Sequence, residues 1–306
     1  MRNRKRRWRV LAAAMACAAL GACGGGGDSG GAVRPVAFTS FSAVVPGQPV
    51  VAGGDSQTAF IVQVSGGTVT SSSPNLVNTT STSAKLTYGA GSPPVLTGLE
   101  INTPQSGLGF SDGRGTQTVA CDTDNCLAKG DGARVVLVNA LGSANWNYQT
   151  FGYWLADVGG TANVTGALSV GNPTAGGSIP AGGTATYSGR SGGLYVSSGG
   201  ILNEQTAAMT ANVNFGTQSI AFSTTGTAIR PWGSTGTATL APQLDMTGTL
   251  AYTSGVNRFT GNVSSTLLNG TASGRFYGPA AEEIGGTYQL TNGPVESMIG
   301  AFGGKK

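Results

Sequence analysis

A stretch near the C-terminus constrains the fold more than any other, because its side chains alternate in size with a period of two residues. Residues 270–277 read Gly-Thr-Ala-Ser-Gly-Arg-Phe-Tyr, so one face of this segment carries mainly Gly and Ala. Period-two patterning predicts a β-strand. A face with so few side chains fits the crowded interior of a small closed sheet, where backbones approach closely. Gly278 and Pro279 end the strand, since proline fixes φ and donates no backbone hydrogen bond.

The rest of the chain has the composition of many short strands joined by tight turns. It contains 52 glycines, only 10% charged residues and no histidine. Abundant Gly, Ser, Thr, Asn and Val favour strands and turns over helices. Alternating segments within residues 209–224 and 244–263 predict successive hairpins, and residues 183–188 and 193–197 form a further candidate pair of strands. From residue 144 onward there are roughly nine or ten strand-like segments, which an eight-stranded antiparallel barrel mostly accounts for.

The polarity of the predicted strands indicates which face of the barrel is buried. Opposite the apolar side chains stand Thr, Ser, Asn and Asp. A membrane-spanning barrel instead needs a tall apolar outer band with aromatic girdles. We therefore predict an all-β chain, in which a β-rich N-terminal part is followed by a soluble eight-stranded antiparallel β-barrel with its apolar face inward.

Residues 1–22 have the pattern of a secretory signal peptide, with a basic start and a short apolar run. The run is too short to span a bilayer comfortably as a permanent helix. Residues 20–23 read Leu-Gly-Ala-Cys, which resembles the bacterial lipobox and implies that Cys23 is lipidated, with acyl chains such as palmitate. Residues 23–34 would then be the lipidated cysteine and a Gly-rich tether. The alternative is an ordinary signal peptide with a chance cysteine.

Net charge does not indicate a nucleic-acid partner. The formal charge of +4 includes six basic residues in the predicted signal segment, and without them 11 basic and 13 acidic residues remain. A slightly acidic mature chain offers no basic patch for phosphates. We predict no binding of nucleic acid.

Cys121 and Cys126 are the only cysteine pair in the predicted mature chain. Two nearby cysteines in a secreted chain most simply form a disulfide, worth roughly 2 kcal/mol for so short a loop. A redox site is one alternative, but it would have two residues between the cysteines rather than four. A calcium loop starting at Asp122 is another, but Cys126 stands where an oxygen ligand is needed. We predict a structural disulfide and no metal site.

The most aromatic window of the chain has two interpretations. Residues 146–154 read Trp-Asn-Tyr-Gln-Thr-Phe-Gly-Tyr-Trp. The rings could form a stacking platform for a flat ligand such as haem, or they could fill a core, as aromatic clusters usually do. Trp232 lies in a predicted long loop over residues 230–243, where it is either an exposed anchor for a partner or packed under its own loop.

The sequence does not predict an enzyme. Without histidine the chain lacks the commonest general base, the usual serine triad and most zinc sites. Glu282 and Glu283 are neighbours in a turn, where they are expected to accept hydrogen bonds from turn amides. Asp157 and Asp245 are isolated in sequence, although two carboxylates of a glycosidase type could still converge in space. We predict a protein with no catalytic residues and no cofactor.

One long run resembles a known family. Residues 274–288 read Gly-Arg-Phe-Tyr-Gly-Pro-Ala-Ala-Glu-Glu-Ile-Gly-Gly-Thr-Tyr, and residues 299–306 form a Gly/Phe/Lys tail. The run is similar to the last barrel strands of transferrin-binding protein B-like surface lipoproteins. Residues 146–154 resemble the first barrel strand of that family, and residues 38–47 resemble the start of its proteobacterial members.

The resemblance implies both an architecture and a function. It implies a handle-like domain over residues 35–143 and a barrel domain over residues 144–306. Family members bind iron carriers, haem or haem proteins, work beside a TonB-dependent receptor, and in some cases use dedicated surface lipoprotein export machinery. The chain is therefore expected to be an outer-membrane lipoprotein, anchored by lipid and surface-exposed, that binds a ligand for nutrient acquisition. The alternative is a protein-interaction or structural envelope lipoprotein with no small-molecule ligand; the ligand-binding residues are not indicated.

Overall fold

Twenty β-strands and three 3-10 turns form the regular structure of residues 34–63, 68–73, 79–103, 107–159 and 162–306, which the computed structural model describes. The all-β prediction is confirmed for these residues. None of them forms a helix long and apolar enough to cross a membrane. The predicted signal peptide, Cys23 and the Gly-rich tether lie outside the described residues.

The first sheet contains eleven strands of the described chain. They are β1 (Val36–Ala37), β2 (Val50–Gln63), β3 (Val69–Ser73), β4 (Thr79–Gly89), β5 (Val95–Asn102), β6 (Gly107–Ser111), β7 (Thr118–Cys121), β8 (Asn125–Gly130), β9 (Ala133–Val138), β10 (Gln149–Gly159) and β11 (Ala162–Gly171). Their spatial order is β6-β5-β4-β2-β11-β10-β9-β8-β7, and β1 and β3 also pair with β2.

The two edge strands of the first sheet, β6 and β7, are linked by side chains. Gln117 Oε1 accepts a hydrogen bond from the Ser111 amide at 3.1 Å, and Gln117 Nε2 donates to the Gly109 carbonyl at 3.3 Å. Asp112 Oδ1 accepts from the Val119 amide at 3.2 Å. The sheet thus curls until it is nearly closed, and these bonds satisfy edge groups that an open sheet would expose.

The second sheet is a closed barrel. Its strands are β12 (Thr184–Val196), β13 (Leu202–Asn214), β14 (Ser219–Pro231), β15 (Thr239–Leu240), β16 (Thr247–Tyr252), β17 (Phe259–Ser264), β18 (Asn269–Tyr277), β19 (Glu283–Asn292) and β20 (Glu296–Lys305). Their order is β13-β12-β20-β19-β18-β17-β16-β14, and pairing of β13 with β14 closes the ring of eight antiparallel strands. The two-residue strand β15 adds to β14 outside the ring. The predicted eight-stranded antiparallel barrel is confirmed.

The small-residue face of β18 lies inside the barrel, as its alternation predicts. Ala272 and Phe276 are completely buried in the barrel core. The Phe276 ring contacts four other rings at centroid distances of 5.4–6.1 Å; these belong to Tyr187, Phe215, Tyr252 and Phe259. Phe276 is therefore the aromatic centre of the barrel core.

The consecutive glycines of β19 serve opposite faces of the barrel wall. A Cβ on Gly285 would lie 2.6 Å from both Gln149 Oε1 and Ser169 Oγ of the first sheet. A Cβ on Gly286 would lie 2.7 Å from the Phe302 ring inside the barrel. Gly285 therefore lets β10 and β11 pack closely on the barrel, while Gly286 leaves room for the core.

Strand pairing corrects the prediction for residues 146–154. This segment is not the first barrel strand, because β10 pairs with β9 and β11 of the first sheet. A period of two indicates a strand, but pairing partners are set by contacts distant in sequence. Residues 183–188 and 193–197, predicted as a hairpin pair, are instead parts of one continuous strand, β12.

The boundary between the predicted domains stays a prediction, because Val33–Lys306 forms one compact unit. Residues 149–171 belong to the first sheet by their pairing, and the first barrel strand begins at residue 184. We propose that the division between the handle-like part and the barrel lies between residues 171 and 184 rather than at residue 144.

Candidate functional site

A buried ion cluster joins the first sheet to the barrel. Asp55 of β2 is completely buried. Its carboxylate accepts hydrogen bonds from Arg275 Nε and Nη2, both at 3.0 Å, and from Arg258 Nη1 at 3.2 Å. Arg275 points outward from β18 because it alternates with the inward Ala272 and Phe276. The cluster thus bridges the two sheets through charge-assisted hydrogen bonds.

A second joint holds the connection between β9 and β10 against the end of the barrel. Glu283 accepts hydrogen bonds from the backbone amides of Asn147 at 2.6 Å and Tyr148 at 3.0 Å. Lys305, paired with Glu283 across β19 and β20, donates to the Asn145 carbonyl at 3.0 Å. The predicted role of Glu283 is thus modified: it accepts from amides of another segment, not of its own turn.

We expect the stability of the protein to fall as pH rises from 4.5 to 6 because of Glu283. Burial raises the pKa of this carboxyl from 4.5 to about 6, against the opposing hydrogen bonds and Lys305. Between these pH values the native state binds more protons than the unfolded state. The free energy of unfolding therefore decreases by about 2 kcal/mol as Glu283 loses its proton. Urea unfolding at several pH values should show a smaller loss in Glu283→Gln. An equal pH dependence in both proteins would contradict this expectation, and Glu100→Gln, an exposed site, is the control.

A groove between the first sheet and the barrel has a volume of about 730 Å³. One wall comes from the β7–β8 turn, β8, β9 and β10, and the other from β12, β13 and β14. The groove is open to solvent along part of its surface. Clefts of this size commonly bind ligands, so we take it as the candidate functional site.

Two arginines share one carboxylate at the first end of the groove. Glu204 is only 4% exposed. It forms ion pairs with Arg230 of the barrel and, at 2.9 Å, with Arg134 of β9. The Arg134 guanidinium lies 4.4 Å from the centroid of the Trp232 ring, which packs 6.4 Å from Tyr153. This end therefore carries one excess positive charge.

Acidic side chains predominate at the second end of the groove. Asp124 pairs with Arg190 of β12 at 3.3 Å and accepts a hydrogen bond from Ser143. The Ser143 hydroxyl, aided by Arg190, lowers the pKa of Asp124. Asp122 accepts hydrogen bonds from the amides of Asp124 and Asn125, both at 2.7 Å. Two carboxylates against one guanidinium give this end one excess negative charge.

Apolar and small residues line the groove between its charged ends. Val136 and Val138 of β9 and Tyr153 of β10 form one side. On the opposite side, the register between β13 and β14 shifts around Ala207 and Gly226. Gly226 has φ of +66°, and a Cβ there would meet nothing within 4 Å. Such a bulge is common beside binding sites because it re-aims the strand.

The predicted cysteine pair lies near the acidic end of the groove. Cys121 and Cys126 are joined in a disulfide across the β7–β8 hairpin. The alternative calcium loop is not supported, since the Asp122 and Asp124 carboxylates are engaged in the turn and with Ser143 and Arg190. No cluster of potential metal ligands occurs among the residues that the structure describes.

The aromatic window packs in the core of the first sheet. Trp146, Phe151 and Trp154 are each at most 4% exposed. The stacking-platform interpretation is therefore wrong for these rings, and the core interpretation is right. Trp232 is neither an exposed anchor nor packed only under its own loop, because it rests on Arg134 and Tyr153 of the first sheet.

Sequence reasoning named Asp122 only as part of a possible calcium loop, and it identified none of the four charged strand residues at the ends of the groove. Arg134, Arg190, Glu204 and Arg230 all lie within strands. In a chain with only 10% charged residues, a charge inside an alternating strand was the available signal. Each of these charges pairs with a residue from a segment that is distant in sequence, so the ion pairs themselves could not be predicted.

The barrel matches a known family. Residues 179–306 match the family described as the C-lobe and N-lobe β-barrels of Tf-binding protein B. A search of curated proteins found no match to the chain.

Solved structures of similar proteins share little sequence with this chain. Intact Ap-TbpB, with N and C lobes, is 18% identical with a TM-score of 0.45, over 82% of this chain and 46% of that one. A Trp-to-Ala mutant of transferrin-binding protein B from Haemophilus parasuis is 12% identical with a TM-score of 0.45, over 83% and 76%. The haemoglobin receptor HpuA from Kingella denitrificans is 13% identical with a TM-score of 0.42, over 89% and 93%. The chain thus spans less than half the length of intact Ap-TbpB.

Proposed function

We propose that the protein, whose residues 179–306 match the family of transferrin-binding protein B barrels, is a lipid-anchored outer-membrane lipoprotein that binds a ligand at the cell surface for nutrient acquisition. Among the solved relatives are transferrin-binding proteins and a haemoglobin receptor. An iron carrier or a haem protein is accordingly the first class of ligand to test. The protein acts by binding, with no chemical step.

The groove between the first sheet and the barrel is the observation that carries this proposal. Its walls come from two different sheets, and ion pairs cross between them at both ends. The Asp55 cluster and the Glu283 joint fix the walls relative to each other. A preformed groove reduces the ordering cost of binding. In the proposed function this groove contacts the ligand, and a TonB-dependent receptor takes the ligand onward.

Anchoring depends on Cys23 in this proposal. The lipobox-like sequence before it supports lipidation and passage to the outer membrane by lipoprotein export machinery. We expect Cys23→Ser to move the protein from the membrane fraction to the soluble fraction. Unchanged membrane association of the variant would contradict the lipid anchor.

Surface exposure is tested with protease on intact cells. We expect degradation of the barrel on intact cells, while a periplasmic control protein stays whole until the outer membrane is opened. Protection of the barrel until that point would assign it to the periplasmic side and overturn the proposed surface function.

A second candidate function is a protein-interaction lipoprotein with no small-molecule ligand. The partly open groove favours it, because small ligands are usually enclosed over most of their surface. Titration with haemin separates the two cases. A saturable change of the Soret band at micromolar haemin favours a small-molecule ligand, and its absence favours a protein partner. The burial of Trp146, Phe151 and Trp154 leads us to expect no change.

A further inference from the structure

We propose that the groove between the first sheet and the barrel binds an extended peptide segment of a partner protein, with an acidic side chain at one end and a basic side chain four residues away. This inference rests on the proposed function and specifies the ligand of the same site. The partner is defined here by its chemistry: opposite charges at the two ends and small apolar or hydroxyl side chains between them.

The charge distribution of the groove is the first support. The Glu204 end carries two guanidiniums for one carboxylate, and the Asp124 end carries two carboxylates for one guanidinium. The Arg230 side chain is 36% exposed and that of Asp124 57% exposed, so both remain accessible to a partner. A bound segment with the opposite polarity would be attracted at both ends, whereas a like-charged segment would be repelled at one.

The length of the groove matches a short extended segment. Along β13, Glu204 lies four residues from Ala208, the register partner of Arg190, which is about 13 Å. Along β9, Arg134 lies five residues from residue 139, whose amide bonds to the Asp124 carbonyl, which is about 17 Å. Both walls thus separate the charged ends by the span of four to five residues in an extended chain.

The strands that line the groove already pair with their neighbours within their own sheets. A bound segment therefore cannot extend either sheet and must be recognised through side chains. Val136 and Val138 offer an apolar surface on one side, and Ala207 and Gly226 leave space on the other. Small side chains at alternate positions of an extended segment fit this middle section, which is lined by apolar and small residues.

The probe is a set of blocked pentapeptides titrated into the purified protein. Asp-Val-Thr-Val-Lys and its reverse, Lys-Val-Thr-Val-Asp, carry opposite charges, while Asp-Val-Thr-Val-Asp and Lys-Val-Thr-Val-Lys are like-charged controls. Methyl resonances of Leu127, Val136 and Val138 report occupation of the groove by nuclear magnetic resonance. We expect saturable shifts at these methyls with the opposite-charge peptides, which should bind at least roughly threefold more tightly than the controls.

Two conservative variants test the charged ends without removing a wall of the groove. Arg230→Gln leaves Glu204 paired with Arg134, and Asp122→Asn keeps an acceptor for the turn amides. Each should weaken the opposite-charge peptides roughly two- to fivefold and reduce the discrimination against one like-charged control. Lys85→Gln, distant on β4, is the matched control and should change nothing.

Several outcomes would overturn the inference. They are equal binding of all four peptides, methyl shifts confined to residues away from the groove, and equally tight binding of the small zwitterion 6-aminohexanoate. Groove shifts that appear with rising protein concentration alone would assign the groove to a second copy of the chain. If the peptides do not bind but the protease experiment shows surface exposure, the peptide inference is wrong. The proposed surface function then remains, with a different ligand. Peptide binding by a protein protected in intact cells contradicts the surface function instead.

Discussion

Replacing Asp55 by alanine should destabilise the protein by roughly 3–5 kcal/mol. The carboxylate is completely buried and binds Arg258 and Arg275, whose side chains are only 29% and 20% exposed. The variant leaves two guanidiniums at the joint between the sheets with no counter-charge, which is the costly way to break a buried ion cluster. Urea unfolding followed by tryptophan fluorescence measures the loss as a lower midpoint.

The exposed pair on the same sheet is the control for this substitution. Lys85 and Glu100 form an ion pair on the surface of β4 and β5, with Glu100 48% exposed. Glu100→Ala should cost less than about 1 kcal/mol because water screens such pairs. A similar small loss in Asp55→Ala would show that the cluster does not hold the sheets together.

Replacing Phe276 by alanine should cost roughly 3–5 kcal/mol through a cavity in the barrel core. The ring is completely buried and contacts Tyr187, Phe215, Tyr252 and Phe259. Tyr187, Tyr252 and Phe259 belong to three different strands of a closed barrel and Phe215 to the turn after β13, so these neighbours cannot all move inward to fill the space. Thermal and urea unfolding give the change in stability.

Two further variants set limits on how much of the stability loss comes from the missing ring volume. Phe276→Leu retains most of the apolar volume and should cost clearly less than the alanine variant. Val256→Ala removes methyl groups from a side chain that is 51% exposed and should be neutral within about 0.5 kcal/mol. Equal losses for Phe276→Leu and Phe276→Ala would indicate that the tilted and edge-on ring contacts, and not the filled volume, provide the stability.

The barrel was predictable from the sequence because its signals are local. Alternation in residues 270–277 indicated both a strand and its inward face, and the structure buries Ala272 and Phe276 on that face. Gly278 and Pro279 ended the strand where the structure ends it, at Tyr277. Such signals depend only on residues that are neighbours in sequence, so a strand and its buried face can be predicted without knowing the partner strands.

What failed depended on contacts between distant residues. Residues 149–154 were correctly predicted as a strand, whereas residues 146–148 precede it, and the partners of this strand are β9 and β11 rather than barrel strands. Residues 183–188 and 193–197 were predicted to form a pair of strands, but pairing with β13 and β20 keeps the residues between them extended within β12. The groove escaped prediction for the same reason, since Arg134 and Glu204 meet across 70 residues of chain.

The position of β20 in the ring has a consequence for the order of folding. This strand pairs with β19 beside it in sequence and with β12, whose residue Ser188 lies opposite Lys305. The ring therefore stays open until residues 296–305 are available, and the closing contact spans more than one hundred residues of chain. Closures of such high contact order form slowly. For a chain that crosses membranes before it folds, as the proposed function requires, late closure keeps the barrel part competent for export until nearly all of it has passed.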